Sequence, residues 1–306
     1  LACELFGGNC MYEIVEKKQL AESIYFMNIK APRVAKAAKP GQFIIAKIDE
    51  KGERIPLTIC NYDEDKKIIT IVVQVVGEST RRMSLLNKGD YFRDFVGPLG
   101  VESQFVNEDI SCLKNKRILF VAGGVGVAPI YPQVKWLNSK GIKADIIIGA
   151  KNKDMLIFEN EIKNEVGNLY ITTDDGSYGM KGLVTDKIND LVNIKNKEYD
   201  LVVAIGPMVM MKFVARLTKK LNIPTVVSLN PIMLDGTGMC GACRVTVGGK
   251  VKFACVDGPE FDAHKIDFDE AMKRQSIYKT EEGKKYLKSI EGKTHSGGCG
   301  MCGGDK

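Results

Sequence analysis

The sequence contains no long hydrophobic run. Across its 306 residues, no apolar stretch approaches the roughly twenty residues that a helix needs to cross a bilayer. The first residues also lack the basic segment and following apolar stretch that are typical of a signal peptide. We therefore expect a soluble, cytoplasmic protein with no membrane partner.

A strong charge bias is absent as well. The chain has 44 basic and 38 acidic residues, a net charge of +6, and its lysines are interspersed with acidic residues. Runs of basic residues flanked by aromatic residues, which would indicate nucleic-acid binding, are missing, so we expect no nucleic-acid partner. The hydrophobic fraction of 44% is sufficient for two domain cores and a small module.

The cysteines do not form the pattern of a disulfide-stabilised protein. There are nine of them, and three lie in one short motif of a chain that we expect in the reducing cytoplasm. We interpret them as metal ligands and reduced thiols, with Cys60 and Cys112 as small core residues. A second C-x2-C pair, Cys299 and Cys302, lies in a Gly-rich tail. This pair either belongs to a flexible end or contacts a metal or a partner's redox site.

The most informative motif is D-x4-C-x2-C-x11-C, which consists of Asp235, Cys240, Cys243 and Cys255. A plant-type [2Fe-2S] cluster takes thiolates at C-x4-C-x2-C and a fourth Cys further along the chain. This chain keeps the spacing and has a carboxylate at the first position. The motif therefore predicts a cluster that carries one electron at a time, with three soft ligands and one hard ligand.

Three glycines of this motif support a cluster. Gly236, Gly238 and Gly241 allow the backbone to curl around inorganic sulfides and to direct N–H groups at them. Two other interpretations stay open. The three cysteines and Asp235 could bind zinc as a knuckle, or Asp235 caps a turn while water or a distant Cys completes the site. Zinc sites usually pair two knuckles, whereas this segment has one.

Residues 12–110 contain short strands separated by turns, which predicts a small antiparallel barrel. Two of its segments suit a flavin nucleotide. In residues 54–58, an Arg beside a Pro-stiffened strand can bind a pyrophosphate, and a Thr hydroxyl can reach the isoalloxazine edge. In residues 77–80, the G-x-S-T pattern offers N–H and hydroxyl donors to phosphate. A surface Arg and an ordinary Ser/Thr helix cap are the alternatives. The candidates are Arg54, Pro56, Leu57, Thr58, Gly77, Ser79 and Thr80.

Residues 115–228 alternate apolar strands with helical patterns, which predicts a doubly wound parallel sheet of five strands. A Gly-rich segment joins the first strand to its helix, where N–H groups and the helix dipole can receive a dinucleotide pyrophosphate. The G-x-G-x-x-G pattern is absent because Pro129 replaces its third Gly. No acidic residue ends the second strand, so NAD and NADP are not distinguished. The candidates are Gly123, Gly124, Gly126, Ala128 and Pro129.

Other polar or turn-forming residues follow the remaining strands. Lys151 and Lys153 either meet a 2′-phosphate or are simply solvated. Two more strand ends lie at the predicted carboxyl edge of the sheet, where ligands bind in such folds, with tight turns as the alternative. These candidates are Asp174, Asp175, Gly176, Gly206, Pro207 and Met208.

The segments ERIPLTI, DDGSYGMKGLVTD and LDGTGMCGACRV together resemble the ferredoxin–NADP reductase superfamily, and the resemblance covers nearly all of residues 12–275. Within it, the chain is most similar to electron-transfer subunits that append a [2Fe-2S] module, as in the small subunits of NADH-dependent reduced ferredoxin:NADP⁺ oxidoreductases, where the Asp ligand is typical. The corresponding subunits of dihydroorotate dehydrogenase B have Cys at the position of Asp235. Sulfide dehydrogenase subunits resemble the chain equally well.

The resemblance implies an NAD(P)H-dependent oxidoreductase subunit that passes electrons between NAD(H), FAD and the cluster, with NADP(H) not excluded. It implies NAD(H) over residues 123–129 and adds Val72, Val73 and Gln74 to the FAD contacts. It also implies a heterodimer with a larger flavoprotein subunit that carries a second FAD and [4Fe-4S] clusters, bifurcates electrons and reaches ferredoxin.

Three alternatives remain for the function. Two are the electron-transfer subunits of dihydroorotate dehydrogenase B and of sulfide dehydrogenase. The third is a flavin and cluster redox sensor, which the lack of a DNA-binding basic motif argues against. The predicted organisation is an extension at 1–11, an FAD-binding barrel at 12–110, an NAD(P)-binding α/β domain at 115–228, a [2Fe-2S] module at 229–275 and a tail at 276–306.

Overall fold

The computed structural model describes residues 12–291 of the chain, with side chains to residue 287. The predictions for residues 1–11 and for Cys299 and Cys302 lie outside this part. No helix in the described ranges is long and apolar enough to cross a membrane.

The first half of the chain forms one antiparallel sheet of seven strands in the order β6-β1-β2-β5-β4-β3-β7. Its core follows from strict alternation: on β5, Ile69, Ile71 and Val73 point into the barrel, while Val72 packs outward against the second half of the molecule. The elements are β1 Tyr12–Ala21, β2 Ile24–Lys30, α1 Pro32–Ala37, β3 Phe43–Lys47, β4 Ile55–Asp63, β5 Ile68–Gln74, α2 Glu78–Leu85, β6 Tyr91–Phe92 and β7 Asp94–Leu99.

The second half contains the predicted α/β fold. All five predicted parallel strands are present, and their apolar runs are buried because helices cover both faces. The elements are α3 Ile110–Lys114, β8 Ile118–Gly123, α4 Val127–Ser139, β9 Asp145–Ala150, α5 Glu159–Lys163, β10 Leu169–Thr173, β11 Met180–Lys181, α6 Val184–Asn189, β12 Leu201–Ile205, α7 Met208–Lys220 and β13 Thr225–Ser228.

The C-terminal part contributes a strand to this sheet. The sheet order is β11-β10-β9-β8-β12-β13-β16, and β16 runs antiparallel to β13. The elements are β14 Arg244–Val247, β15 Lys250–Phe253, α8 Ala254–Asp257, β16 Glu260–Asp262, α9 Phe268–Gln275 and α10 Lys279–Glu291. The fold is therefore an antiparallel barrel, a parallel α/β sheet and a small C-terminal module.

The two cysteines predicted for the core differ in the structure. Cys60 is buried on β4, as expected, and burial raises the pKa of its thiol. The prediction for Cys112 is wrong, because this residue is exposed on α3. The short helix turns Leu113 into the core and Cys112 to the surface.

Candidate functional site

Two of the predicted nucleotide segments meet at the carboxyl edge of the parallel sheet. A Cβ atom built on Gly206, after β12, would lie 3.0 Å from the Cα of Gly123 at the end of β8. One built on Gly126 would lie 2.1 Å from the carbonyl oxygen of Ile205, so α4 starts in direct backbone contact with β12. At Gly124, with φ +54°, no atom of the described residues lies within 4 Å of such a Cβ. The loop therefore presents bare backbone beside open space, as a pyrophosphate site requires.

The other predicted residues at this edge of the sheet are either packed in helices or part of a turn. Ala128 and Met208 are buried at the starts of α4 and α7, and Pro129 is half-buried in α4. The segment with Asp174 and Gly176 forms an exposed turn, in which the Asp175 carboxylate accepts a hydrogen bond from the Ser177 N–H at 2.9 Å.

This turn lies beside the loop that follows β9. The Ser177 hydroxyl accepts a hydrogen bond from the Lys153 N–H at 2.8 Å, and the Lys153 ammonium lies 5.6 Å from the Tyr178 ring centre. The hydrogen bonds from Ser177 lower the pKa of Asp175. The structure thus brings the Lys153 loop and the Asp175 turn together at the sheet edge.

The D-x4-C-x2-C segment forms a loop after β13, and the sulfur of one of its cysteines lies close to that of Cys255 in α8. The Sγ atoms of Cys243 and Cys255 are 3.2 Å apart, and both residues are buried, whereas Cys240 is exposed. Burial, followed by the contact with Cys243, raises the pKa of the Cys255 thiol to about 12. The backbone N–H of Gly238 points at the Cys255 sulfur. Inner thiolates with N–H donors fit an iron–sulfur cluster.

Asp235 is half-buried at the start of the same loop. Its Oδ2 accepts a hydrogen bond from the Thr237 hydroxyl at 2.7 Å, and the backbone N–H groups of Thr237, Met239 and Cys240 also point at the carboxylate. These hydrogen bonds, with that of the Thr237 hydroxyl the strongest, lower the pKa of Asp235. The carboxylate is therefore ionised at neutral pH and organises the loop.

The four predicted ligands do not surround a single point. Within residues 12–291, no three His, Cys, Asp or Glu side chains gather as they would around one metal ion. A zinc knuckle places all four ligands on one ion, whereas a two-iron cluster divides them between two metals. The arrangement, in which the sulfurs of Cys243 in the loop and Cys255 in α8 form a buried pair, favours the cluster over zinc.

Arg54 joins the barrel to this loop. Its Nε donates to the carbonyl oxygen of Leu234 at 2.5 Å, and its Nη2 donates to that of Asp235 at 3.3 Å. A Cβ on Gly236 would lie 2.8 Å from Leu99 and 2.9 Å from Ile45, so the loop lies directly on the barrel wall. The sequence pattern predicted Arg54 as a pyrophosphate contact, and nothing in it indicated this contact across 180 residues.

We expect Arg54→Lys to loosen the cluster loop. Lysine cannot reach two carbonyls in the geometry of the guanidinium, and a lost charged hydrogen bond of this kind should speed cluster loss to a chelator about tenfold. The rate can be followed by bleaching of the iron–sulfur absorption. Arg82→Lys is the matched control, because Arg82 pairs with Asp49 on the barrel surface. Equal rates in the two variants would contradict the role of Arg54.

The second barrel segment lies at the start of α2. The Thr80 Oγ1 accepts hydrogen bonds from the N–H groups of Val76 and Gly77 at 2.9 and 3.1 Å, so this side chain caps the turn. The Ser79 hydroxyl donates to the Glu53 carboxylate, which also pairs with Lys285 of α10 at 2.5 Å. No described atom lies within 4 Å of a Cβ on Gly77, which leaves space for a ligand at the helix start.

The strand residues of the predicted flavin site point in two directions: Val72 packs against the α/β half, whereas Leu57 packs against the barrel core. Thr58 is half-buried and pairs with Phe43 of β3, and Pro56 and Leu57 precede it on β4. Val72 and Gln74 of β5 are half-buried, whereas the Val73 side chain lies in the barrel core, so only its backbone is available to a ligand. Helix α4 runs along β4, where the Lys135 ammonium donates to Asn61 at 3.0 Å.

Comparison with protein families matches both halves of this site. Residues 230–267 match the iron–sulfur cluster binding domain of dihydroorotate dehydrogenase B, and residues 120–216 match the oxidoreductase NAD-binding domain. A Clostridium beijerinckii protein known only as an uncharacterized protein in the adh 3′ region is 63% identical, over 97% of this chain and 100% of its own.

Two further relatives cover almost the whole chain. The dihydroorotate dehydrogenase B (NAD(+)) electron transfer subunit homolog of Thermotoga maritima is 45% identical, over 93% of this chain and 98% of its own. A structure of NADH-dependent reduced ferredoxin-NADP oxidoreductase, solved to study flavin-based electron bifurcation, has a chain with 44% identity and a TM-score of 0.84; the match covers 93% of this chain and 100% of that one.

Similarity at the level of fold extends further. An Amycolatopsis cytochrome P450 reductase has a TM-score of 0.57 at 18% identity, which shows a shared fold alone. Identity of 45% over nearly the full length of a curated relative goes well beyond that. The chain belongs to the family of dihydroorotate dehydrogenase B electron-transfer subunits and their homologues, and it is an oxidoreductase-type electron-transfer subunit with an NAD-binding domain and an iron–sulfur domain.

Proposed function

We propose that this chain is the small subunit of an electron-bifurcating, NADH-dependent ferredoxin:NADP⁺ oxidoreductase. FAD, a [2Fe-2S] cluster and NAD(H) are its cofactors, and it passes electrons between NAD(H) and a larger flavoprotein subunit. The observation that carries the proposal is the contact of Arg54, the residue before the predicted flavin strand β4, with the backbone of Asp235 in the cluster loop. The similarity over the whole chain of the ferredoxin-NADP oxidoreductase structure supports it.

The ligands of the cluster divide into two pairs. Cys243 and Cys255, with sulfurs 3.2 Å apart, would bind the inner iron, and Asp235 and the exposed Cys240 the outer iron. The exposed iron is then the one that faces a partner. The outer pair also contains the residue that distinguishes this chain from the dihydroorotate dehydrogenase pattern, since that pattern has Cys in place of Asp235.

In this proposal, the flavin and nucleotide sites would face each other where β4 meets α4. On the barrel side, Arg54, Thr58 and the start of α2 at Gly77 and Ser79 would hold FAD, and the loop around Gly124 would hold the NAD(H) pyrophosphate. When bound, FAD converts the two-electron hydride chemistry of NAD(H) into the single-electron steps that a [2Fe-2S] cluster accepts. The protein's part is to hold FAD and the cluster loop on the barrel wall and NAD(H) at the adjoining edge of the parallel sheet.

The larger subunit would carry a second FAD and [4Fe-4S] clusters and would pass electrons to or from ferredoxin. A second candidate function is that of the dihydroorotate dehydrogenase B subunit, which the match of residues 230–267 and the Thermotoga maritima relative favour. Purification of the native complex separates the two. A large flavoprotein with [4Fe-4S] clusters supports the bifurcating oxidoreductase, and a dihydroorotate-oxidising FMN protein supports the second candidate.

The decisive test of the subunit itself is an anaerobic titration with NADH and, separately, with NADPH. Flavin bleaching is followed optically and the cluster by EPR. We expect NADH to bleach the flavin and to produce a rhombic [2Fe-2S] signal. A colourless zinc protein that responds to neither nucleotide would overturn the proposed function.

The carboxylate ligand offers a further prediction. Asp235→Cys should still assemble a cluster, because the spacing then equals C-x4-C-x2-C, but its midpoint potential should fall by on the order of 100 mV because thiolate donates more strongly to iron. Redox titration monitored by EPR measures this.

A second substitution tests the turn-cap alternative for the same residue. Asp235→Asn keeps an acceptor for Thr237 but removes the anionic ligand. We expect it to lose or shift the cluster signal. A wild-type signal and potential in this variant would show that Asp235 only caps the turn.

A further inference from the structure

Glu260 is a carboxylate that none of the sites above uses. It begins β16 and pairs with Ser228, the last residue of β13, which places it at the carboxyl edge of the parallel sheet, where ligands bind in such folds. Its Oε1 accepts hydrogen bonds from the Ser103 hydroxyl at 2.8 Å and from the Gln133 amide at 2.9 Å. Ser103 belongs to the connection between barrel and sheet, and Gln133 to α4. Three parts of the molecule therefore meet at one carboxylate oxygen.

No positive charge compensates this carboxylate. Among the residues that the structure describes, no Lys, Arg or His lies within ion-pair distance of Glu260. The charged side chains of the adjoining segments pair with each other: Lys39 with Glu102 at 2.8 Å, and Lys265 with Asp262 at 2.9 Å. Burial therefore raises the pKa of Glu260 to about 7, against the opposing effect of its two hydrogen bonds.

The partners of Glu260 suit both of its protonation states. A Ser hydroxyl can donate to a carboxylate or accept from a carboxylic acid, and a Gln amide can do either after a half-turn. The Oε1 of Gln133 is buried without a donor in the described part of the chain, so a protonated Glu260 has an acceptor within reach. A site for a permanent anion would use backbone N–H groups or a guanidinium instead.

Glu260 also keeps some exposure to solvent and lies close to the predicted flavin strand. The residue is half-buried, whereas its carboxyl group is enclosed by protein. A Cβ on Gly41 would lie 3.1 Å from the Glu260 Oε1. The carbonyl oxygen of the next residue, Gln42, accepts a hydrogen bond from the N–H of Ile59, which follows Thr58 on the predicted flavin strand. In the sequence, Glu260 lies five positions after Cys255.

We infer that Glu260 is a proton-binding residue of the electron-transfer reaction, which takes up one proton from solvent when the subunit is reduced and releases it on oxidation. The inference rests on the proposed function. Electrons come from NADH, which leaves as NAD⁺, and the proton comes from solvent, so that it offsets part of the negative charge added when the subunit is reduced. A neutral carboxylic acid avoids the repulsion that a buried carboxylate would feel from this added charge.

Proton uptake on reduction tests this directly. The cofactor-loaded full chain is reduced with NADH in weakly buffered solution containing a pH indicator, for the wild type and for Glu260→Gln, which keeps the shape of the side chain. Slightly above pH 7, we expect the wild type to take up at most about one proton per chain more than the variant. Around pH 5, where Glu260 is protonated in both redox states, the two proteins should take up the same number of protons. Protons that the flavin itself binds are common to both proteins and cancel.

Two further variants complete the experiment. Glu102→Gln is the control, since this carboxylate lies one residue from Ser103 and is already paired with Lys39. It should behave as the wild type. Ser103→Ala keeps Glu260 but removes one donor to its anion, and it should move the pH of maximal extra uptake upward.

Equal uptake in wild type and Glu260→Gln at every pH, with flavin and cluster present in both, would overturn this inference alone. If Glu260→Gln does not fold, an unshifted pH profile in Ser103→Ala would overturn it. A wild-type chain that binds neither flavin nor cluster would overturn the proposed function and this inference together.

Discussion

Cys243→Ser and Cys255→Ser will each abolish the [2Fe-2S] EPR signal, and iron content will fall from about two atoms per chain toward none. The two sulfurs lie 3.2 Å apart in a buried pocket, so the loss of either leaves the inner iron with one thiolate. A serine hydroxyl is a poor replacement, because burial of this kind already disfavours ionisation of the Cys255 thiol. The flavin and nucleotide sites are built on other elements, so NADH should still bleach the flavin absorption of these variants.

Cys112→Ser provides the matched control for these variants. It makes the same atomic change at an exposed thiol on α3 and should keep wild-type iron content and EPR signal. Cys240→Ser, at the exposed end of the loop, should retain a partly assembled or unstable cluster, because solvent can supply the missing ligand there. Full iron content in Cys243→Ser would contradict the assignment of Cys243 and Cys255 as the ligands of the inner iron.

Much of the fold could be predicted because its signals are local. Each of the five parallel strands is a run of apolar residues between turn or helix signals, and burial on both faces produces such runs. The strands β11 and β16 were not predicted. They have two and three residues, and their pairing is decided by the chain that brings them to the sheet rather than by their own pattern.

The candidate site was less accessible to sequence reasoning, because its important contacts join distant parts of the chain. The predicted glycines around Gly123 and Gly206 do meet, since both follow neighbouring parallel strands. In contrast, Arg54 and Leu234 are 180 residues apart, and Glu260 meets Gln133 across 127 residues. The spacing of Asp235 and the cysteines predicted the ligands, but not that the barrel wall supports their loop.

Thr80 shows a different limit. The G-x-S-T pattern fits both a phosphate site and a helix cap, and the structure uses the Thr80 hydroxyl for the cap. Both uses place the same atoms at the start of the same helix. The pattern therefore locates a helix start with open backbone, and only the side-chain contacts show which residue remains available to a ligand.

Gly126→Ala should strongly destabilise the nucleotide domain. Gly126 has an ordinary helical φ of −60°, so its conformation does not require glycine. The requirement comes from packing, because a Cβ would lie 2.1 Å from the carbonyl oxygen of Ile205, and neither backbone can yield without moving α4 from β12. We expect a loss of about 3 kcal/mol in the free energy of unfolding, the upper end of the typical cost of overpacking, with weakened NADH binding.

Gly124→Ala separates packing from backbone conformation. Gly124 has φ +54°, where an L-residue costs about 1–2 kcal/mol, but no described atom lies within 4 Å of its Cβ position. Gly126→Ala should therefore have the lower melting temperature of the two variants, by roughly 4 °C or more. It should also have the larger NADH dissociation constant. The reverse order would mean that the left-handed turn, rather than the contact of α4 with β12, sets the geometry of the nucleotide loop.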